Sequence, residues 1–400
     1  MTSRPRILFV DDEAAVLAGL RRMLRRKRDS WDVSFAAGGE EALGILRSEP
    51  CDVLVSDFRM PGMDGGALLQ FAREHYPRTA RMILSGHTEE ADLLRVVLLA
   101  HQFVHKPCDE GELISAIERV LGLRSTLGNE DVRREIAGIE SLPSPPSTLR
   151  ELFSALDSPD ASARSVARVI EQDPAAAAKV LQVVNSSWSA VSRRISDIGQ
   201  AVALLGLRNV RALVLMHDLV HSFGMKEPVS ADWVESLTVH SVHCSRLARR
   251  LAGDVPWAED AFAAGLLLDV GQLVLASCRP GAFARHLADW SGGDGPLSPI
   301  EIATFGADHA AVGAYLLGLW GLPLPVIEAV ASHTRATGVT RPADVVSTAV
   351  MAHSIVEAEL GPLCGRHDAT PAADEDQFDA SVRRHIGRWR TEVERERAVR

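Results

Sequence analysis

Asp11, Asp12, Asp57, Ser85 and Lys106 share one feature in a chain of 400 residues: each follows or ends a short apolar run. Asp11 and Asp12 follow "RILFV", Asp57 follows "DVLVS", Ser85 ends "RMILS" and Lys106 follows "QFVH". If those runs are parallel strands, all five residues meet at one rim, where open α/β sheets gather their functional groups. Three crowded carboxylates repel one another, and a divalent cation relieves that repulsion. Magnesium accepts such oxygen ligands and keeps several waters. A lysine ammonium and a hydroxyl can hold the oxygens of an incoming phosphoryl group. The set is therefore suited to placing a phosphoryl group on one of its own aspartates, with the carboxylate as nucleophile.

A second set is formed by His240, Asp269, His309 and His333. Asp269 lies inside the apolar stretch "AFAAGLLLDVGQLVLA". Burying a lone carboxylate costs several kcal/mol unless it is paired, protonated or metal-bound. "MHDLVH" places His217 and His221 four apart with Asp218 between them. Asp is one methylene shorter than the Glu that serves as base in zinc proteases, so these read as polar positions on an amphipathic helix.

The elements that would position these residues change character along the chain. Up to about Gly122, "RILFV", "DVSFA", "DVLVS", "RMILS" and "QFVHK" alternate with helical patterns such as "AAVLAGLRRMLRR" and "GEEALGILRS". Five βα units predict a parallel sheet with right-handed crossovers. "GLRSTLGNEDVRREIAGIESLPSPPS" is rich in turn formers and reads as a junction. Beyond it nearly every segment has helical periodicity, with a helix start at Asp173-Pro174. The expected divisions are 1–122, a junction over 123–148, a helical domain over 149–362, and an acidic loop with a final helix over 363–400.

Composition narrows the partners. The net charge of -10 disfavours a nucleic-acid backbone. The basic "RRMLRRKR" and the acidic "ADEDQFD" read as a solvated face and a loop. Five dispersed cysteines without a CxxC pair fit reduced thiols in a cytosolic protein. No run of about twenty apolar residues is seen, so no membrane span is expected.

The motifs "FVDDE", "DVLVSDFRMPGMDG", "MILSGHTE" and "FVHKP", in that order over residues 1–122, resemble a response-regulator receiver domain. The resemblance implies a (βα)5 doubly wound parallel sheet of order 2-1-3-4-5. It makes Asp57 the phosphoacceptor, with Mg²⁺ held by Asp11, Asp12, Asp57 and the Arg59 carbonyl. Ser85 and Lys106 would hold the phosphoryl group, Phe103 would be the switch aromatic, and a sensor histidine kinase the donor. The face from Thr88 to Leu121 is where a shift would be read. "LLAHQFVHKP" departs from the Gly-Ala that the family carries before that aromatic.

"LPSPP", "IEQDP", "VLQVVNSS" and "AVALLG" resemble an HDOD domain, from about Ile139 to Leu360. HDOD domains are similar to HD-type metal-dependent phosphohydrolases, of all-α fold, that have largely lost the metal site. Here Leu268 stands where the HD dyad carries histidine, Gln272 replaces a lysine, His333-Thr334 replaces a His-His pair, and Ala352-His353 replaces a late Ala-Asp. The resemblance implies a metal-free polar cluster of His240, Asp269, His309 and His333 without catalytic residues. The output would then be binding of a partner protein, with a second copy of the chain also a candidate, in a cytoplasmic response regulator. An active cyclic-dinucleotide phosphodiesterase and a DNA-binding regulator are the alternatives. Missing ligands argue against the first. Net acidity and the lack of a basic recognition helix argue against the second.

Overall fold

The computed structural model describes residues 4–85, 99–106, 110–127, 130–137, 139, 142, 146–158, 160–187, 194–224, 230–290, 297–334, 339, 341–360, 378 and 380–399. The chain divides into two compact units: Met1–Glu140 with Gln182–Arg194 and Tyr315–Gly321, and the remaining residues.

The first unit is built on strands β1 (Arg6–Val10), β2 (Asp32–Ala36), β3 (Val53–Ser56), β4 (Ala80–Ser85) and β5 (Gln102–His105). All pair in parallel, in the expected order β2-β1-β3-β4-β5. β3 is buried at every residue and β1 at all but the first, because both faces are covered and apolar side chains fill both. Helices α1 (Ala14–Met23), α2 (Gly39–Ser48) and α3 (Gly65–His75) make the crossovers. Leu8, Val10 and Leu54 of the sheet pack with Leu46, Leu68 and Leu69 of α2 and α3. The crossover from β4 to β5 lies largely outside the described residues, and with it "EEADLLRVVLLA" and the first part of the Thr88–Leu121 face.

Helix α4 (Glu110–Thr126) continues past residue 122, and α5 (Glu130–Ala137) follows it. Val132, Ile136 and Ala137 of α5 are buried. The Ala137 carbonyl accepts from the Arg81 guanidinium at 2.9 Å and lies 3.0 Å from His101 Nε2. The His101 Nδ1 accepts from the Arg81 backbone N–H at 3.1 Å, so Nε2 carries the hydrogen toward Ala137. His101, the departure noted in the receiver motif, thus fastens the start of β5 to β4 and to α5.

The second unit is helical throughout its described residues. Its helices are α6 (Pro146–Asp157), α7 (Ala163–Ile170), α8 (Pro174–Ser187, in this unit up to Leu181), α9 (Ile198–Gly224), α10 (Ala231–Ala252), α11 (Ala258–Leu267) and α12 (Val270–Cys278). It continues with α13 (Pro280–Trp290), α14 (Leu297–Phe305), α15 (His309–Leu319, in this unit up to Ala314), α16 (Leu324–Ser332), α17 (Val345–Leu360) and α18 (Ala380–Val399). α8 starts as its Asp-Pro predicts: Asp173 Oδ1 accepts from the Ala175 N–H at 2.9 Å, and Pro174 opens the helix. Ala258–Cys278 is long and apolar enough to cross a membrane by length and composition, although Glu259, Asp260 and Asp269 interrupt it. It is 89% buried inside the unit and broken at Asp269, as a core helix pair would be. α18 is integral to the packing: Val382, Ile386, Trp389 and Val393 pack with Cys244, Leu247 and Leu251 of α10. Of "MHDLVH" only the backbone is described, within α9.

Candidate functional site

At the carboxyl end of the sheet, β1 delivers Asp11, β3 delivers Asp57, and the turn after β5 delivers Lys106. The Lys106 Nζ lies 2.5 Å from Asp11 Oδ2 and 2.5 Å from Asp57 Oδ1. The second Asp57 oxygen accepts from the Arg59 N–H at 2.8 Å, and Asp11 Oδ1 accepts from the Glu13 N–H at 2.9 Å. Asp11 and Asp57 are buried, whereas Asp12 and Arg59 face solvent. Burial pushes the Asp57 carboxyl above its ordinary value against the pull of Lys106. Burial would lower the Lys106 ammonium, but its two carboxylate partners outweigh that and raise it.

The turn after Asp57 is set by its sequence. A Cβ on Gly65 would lie 2.1 Å from the Asp57 carbonyl oxygen, so only glycine lets the start of α3 come this close to the end of β3. Asp64 caps α3 by accepting from the Ala67 N–H at 2.6 Å. Ser85 ends β4 in register with His105, and Phe103 pairs with Ile83. The side chains of Ser85 and Phe103 lie outside the described residues.

Two buried carboxylates converging on one cationic nitrogen make a point of negative potential at the rim. These oxygens, with exposed Asp12 beside them, fit the donor set a hard divalent cation takes. The rim of this doubly wound sheet thus gathers two buried carboxylates and one ammonium.

In the helical unit, all four histidines and aspartates expected to cluster do so, and two further residues join them. Asp269 occupies the single break between α11 and α12. Around its carboxylate stand His240 from α10 (Nε2 to Oδ2 3.8 Å), His309 opening α15 (Nε2 to Oδ1 3.9 Å) and His333 at the end of α16 (Nε2 to Oδ1 3.8 Å). His353 of α17 joins them at 3.4 Å from Oδ2. None of these five residues is more than 3 % exposed. Gln272 donates to Asp269 Oδ1 at 3.2 Å. The cluster is larger than the four residues expected. Leu268 and Thr334 add no group to the surroundings of Asp269, whereas His353, which stands where the HD pattern has aspartate, places its imidazole beside it.

Glu301 was not foreseen. It is buried on α14, accepts from the His309 backbone N–H at 2.9 Å, and lies 2.7 Å from His309 Nδ1. Its signal was a lone acid in the apolar "SPIEIATF". His333 Nδ1 lies 2.7 Å from the Val330 carbonyl, and the two Nε2 atoms of His309 and His333 are 3.1 Å apart. A Cβ on Gly271 would lie 1.8 Å from the His309 carbonyl oxygen, so this glycine sets how closely α12 approaches α15.

Electrostatics divides the four imidazoles. Burial would raise the Asp269 carboxyl, but His353, His240 and His333 hold it well below the ordinary carboxylate range. Burial disfavours charge on His309 too, yet Glu301 and Asp269 hold it up to about 9. His353 is likewise raised, Asp269 outweighing its burial. Burial and neighbouring imidazoles push His240 and His333 down to about 3.

The comparisons agree with both halves of this description. Residues 7–118 match the response regulator receiver domain family and residues 142–336 the HDOD domain family. The chain is a two-component response regulator with a receiver domain followed by an HDOD domain. It is 30% identical over 125 residues to the hydrogenase transcriptional regulatory protein HoxA of Cupriavidus necator, covering 31% of this chain and 25% of that one. It is 33% identical over 116 residues to the DNA-binding transcriptional regulator NtrC of Escherichia coli, covering 29% and 24%. The chain thus spans about a quarter of the length of these relatives. Among solved structures, the MmoQ response regulator of Methylococcus capsulatus is similar with a TM-score of 0.49 and 24% identity, over 62% of this chain and 98% of that one.

Proposed function

We propose that a sensor histidine kinase phosphorylates Asp57, and that this controls an HDOD output that binds a partner protein without hydrolysing a substrate. The observation that carries the first part is the shared ion pair of Lys106 with Asp11 and Asp57. In the transfer, an Asp57 carboxylate oxygen forms the bond to phosphorus as the bond from phosphorus to the donor nitrogen breaks. Asp11, Asp12, Asp57 and the Arg59 carbonyl would hold Mg²⁺, which when bound neutralises charge on the phosphoryl oxygens. Lys106 must leave Asp57 Oδ1 and follow the new phosphate, while its bond to Asp11 keeps it at the rim. The Ser85 hydroxyl holds a second phosphoryl oxygen, and Phe103 reports the change to the face ending at Leu121. To move the output from 1:99 to 99:1, phosphorylation must supply about 5.5 kcal/mol of differential stability.

The non-hydrolytic part rests on the burial of Asp269 and its four histidines, which gives a phosphodiester no approach from the surface in this state. DNA binding, for which NtrC is named, has no support in the net charge of -10. The domain limits proposed are 1–122 for the receiver, 123–148 for the junction, 149–362 for the HDOD domain and 363–400 for the remainder, in a cytoplasmic setting. The test is labelling by a small phosphodonor with Mg²⁺, followed by a pull-down comparing phosphorylated protein with Asp57→Asn. Asp57→Asn should lose all acid-labile label, and label that persists would place the chemistry on another carboxylate.

A further inference from the structure

We propose that the amino-terminal rim of the receiver sheet, at the far end of β3 from Asp57, carries a second ligand site, a cavity that takes a nucleoside phosphate. The inference goes beyond the phosphotransfer reading and stands whether or not Asp57 is the phosphoacceptor. Its first ground is a preformed hollow. A cavity of about 450 Å³ opens where β3 and β4 begin, and its lining lies wholly in the first unit. That volume is in the range of small-molecule sites. The two turns that shape it are tied together. Thr79 Oγ1 donates to the Cys51 carbonyl at 2.7 Å, and the Ala80 N–H donates to the Asp52 carbonyl at 2.9 Å. Pro50 and Pro77 stiffen the same turns. A hollow held in this way needs little rearrangement to receive a ligand.

The second ground is the charge of the lining. It holds Arg78, Arg133 and Arg134 against a single carboxylate, Asp52. Three guanidinium charges less one carboxylate leave two positive charges with His75 neutral. Asp131 lies outside the lining and pairs with Arg134 at 2.9 Å; counting it as well still leaves one. Asp52 Oδ2 accepts from the Arg6 backbone N–H at 2.6 Å. Arg133 donates to the Leu127 carbonyl at 2.9 Å, a bond that orients the guanidinium without cancelling its charge. Guanidinium N–H groups match phosphate oxygens two at a time. In a chain of net charge -10, a hollow of the opposite sign selects anions locally.

The third ground is what accompanies the charge. Tyr315 in the lining is buried and Tyr76 half-buried, whereas Arg78 is exposed. The lining thus grades from sheltered aromatic rings to exposed cations, which matches a molecule with a flat base at one end and a phosphate at the other. Phe71 steadies the wall: its ring lies 6.1 Å from that of Tyr76 and stacks on His75 at 4.1 Å. Aromatic faces take a nucleobase by stacking. Inorganic phosphate would leave most of this volume to water, whereas a nucleoside fills it. Arg78 belongs to the turn after α3, and Arg133 and Arg134 to α5. A phosphate held by both would bridge α3 to α5 and steady the helix that opens the junction toward the helical domain.

The experiment uses the full-length protein in chelator, so that no metal at the opposite rim retains phosphate. AMP and GMP are titrated by calorimetry beside adenosine and inorganic phosphate. AMP or GMP should bind with a Kd below about 1 mM, and adenosine and inorganic phosphate at least about tenfold more weakly. Arg78→Gln and Arg134→Gln should each weaken the nucleotide by about tenfold or more, and Tyr76→Leu by at least about fivefold. With nucleotide at about ten times its Kd, hydrogen exchange of the α5 amides should slow about tenfold. AMP carrying an azide on its adenine should, on irradiation, label the peptides that contain Tyr76 or Tyr315. If a variant does not fold, the labelled peptides of the parent protein decide alone. Absence of AMP and GMP binding up to about 10 mM would overturn the site, as would label confined to other peptides or affinity unchanged in folded Arg78→Gln and Arg134→Gln. Inorganic phosphate binding as tightly as the nucleotides would overturn the assignment of a nucleoside phosphate. Acid-labile labelling of Asp57 in the parent is read in a separate reaction with Mg²⁺, so the two readings fail separately.

Discussion

Lys106 is ion-paired with Asp57, the carboxylate proposed to take the phosphoryl group, at 2.5 Å. The lysine therefore holds the resting state together as well as awaiting the phosphate. Lys106→Met leaves Asp11 and Asp57 facing each other in a half-closed site. It should destabilise the metal-free protein by about 3 kcal/mol. Added Mg²⁺ should raise the melting temperature of the variant more than that of the parent. Denaturant melts with and without chelator measure both, and an equal Mg²⁺ effect in the two proteins would contradict the shared-cation account.

A receiver fragment ending at residue 140 should be more stable than one ending at 122. The shorter fragment loses α5, whose Ala137 carbonyl serves both Arg81 and His101 and whose Val132 and Ile136 are buried. The expected difference is about 1–3 kcal/mol in urea unfolding. Limited proteolysis of the full chain should correspondingly release a receiver piece that retains α5.

His101 gives the fold an acid limit. Burial, with the Arg81 charge beside it, holds its imidazole well below the ordinary histidine value, so the folded protein keeps it neutral. Its contribution is fully present above about pH 6.5. Below that pH the unfolded chain binds a proton that the folded chain refuses, and stability falls by up to about 1.4 kcal/mol per pH unit. His101→Gln should lose that part of the slope, which paired unfolding curves between pH 7 and about pH 5 would reveal.

Trp389→Ala should cost about 3–5 kcal/mol, since the ring is fully buried against α10. Thermal melting by circular dichroism tests it. A loss below about 1 kcal/mol would mean that α18 is dispensable.

Gly271→Ala should cost more than about 3 kcal/mol, because backbone meets backbone and neither α12 nor α15 can yield alone. Gly281→Ala is the control: a Cβ there meets nothing within 4 Å, and in a helix it should be neutral or slightly stabilising. Soluble yield and melting temperature of the two variants should diverge.

The receiver was legible because its chemistry sits where each strand ends, and strand ends are marked by a change from apolar to charged residues. Asp11, Asp57 and Lys106 could be placed on one rim from the sequence alone. The helical half hid its site for the opposite reason. Its clustered side chains come from five helices, and no period in the sequence relates one helix to another. Leu268 and Thr334 were visible in the sequence as departures from the HD pattern. His353 also departs from the pattern, yet its imidazole stands beside the Asp269 carboxylate, which its position in the sequence did not reveal. Glu301 was invisible because its role depends on α14 folding back beside the start of α15. His101 looked like an irregularity until α5 supplied its acceptor.

His353 lies seventeen residues beyond the stretch 142–336 by which the HDOD domain is recognised, and α18 farther still. A polypeptide trimmed to that stretch would keep His240, Asp269, His309 and His333 but leave one side of the aspartate bare. It would also strip the cover from α10. The part of this protein that could be cut out and grafted behind another receiver is therefore longer than the part that identifies it. A failed transplant of residues 142–336 alone would say nothing about whether the domain can work in a new host.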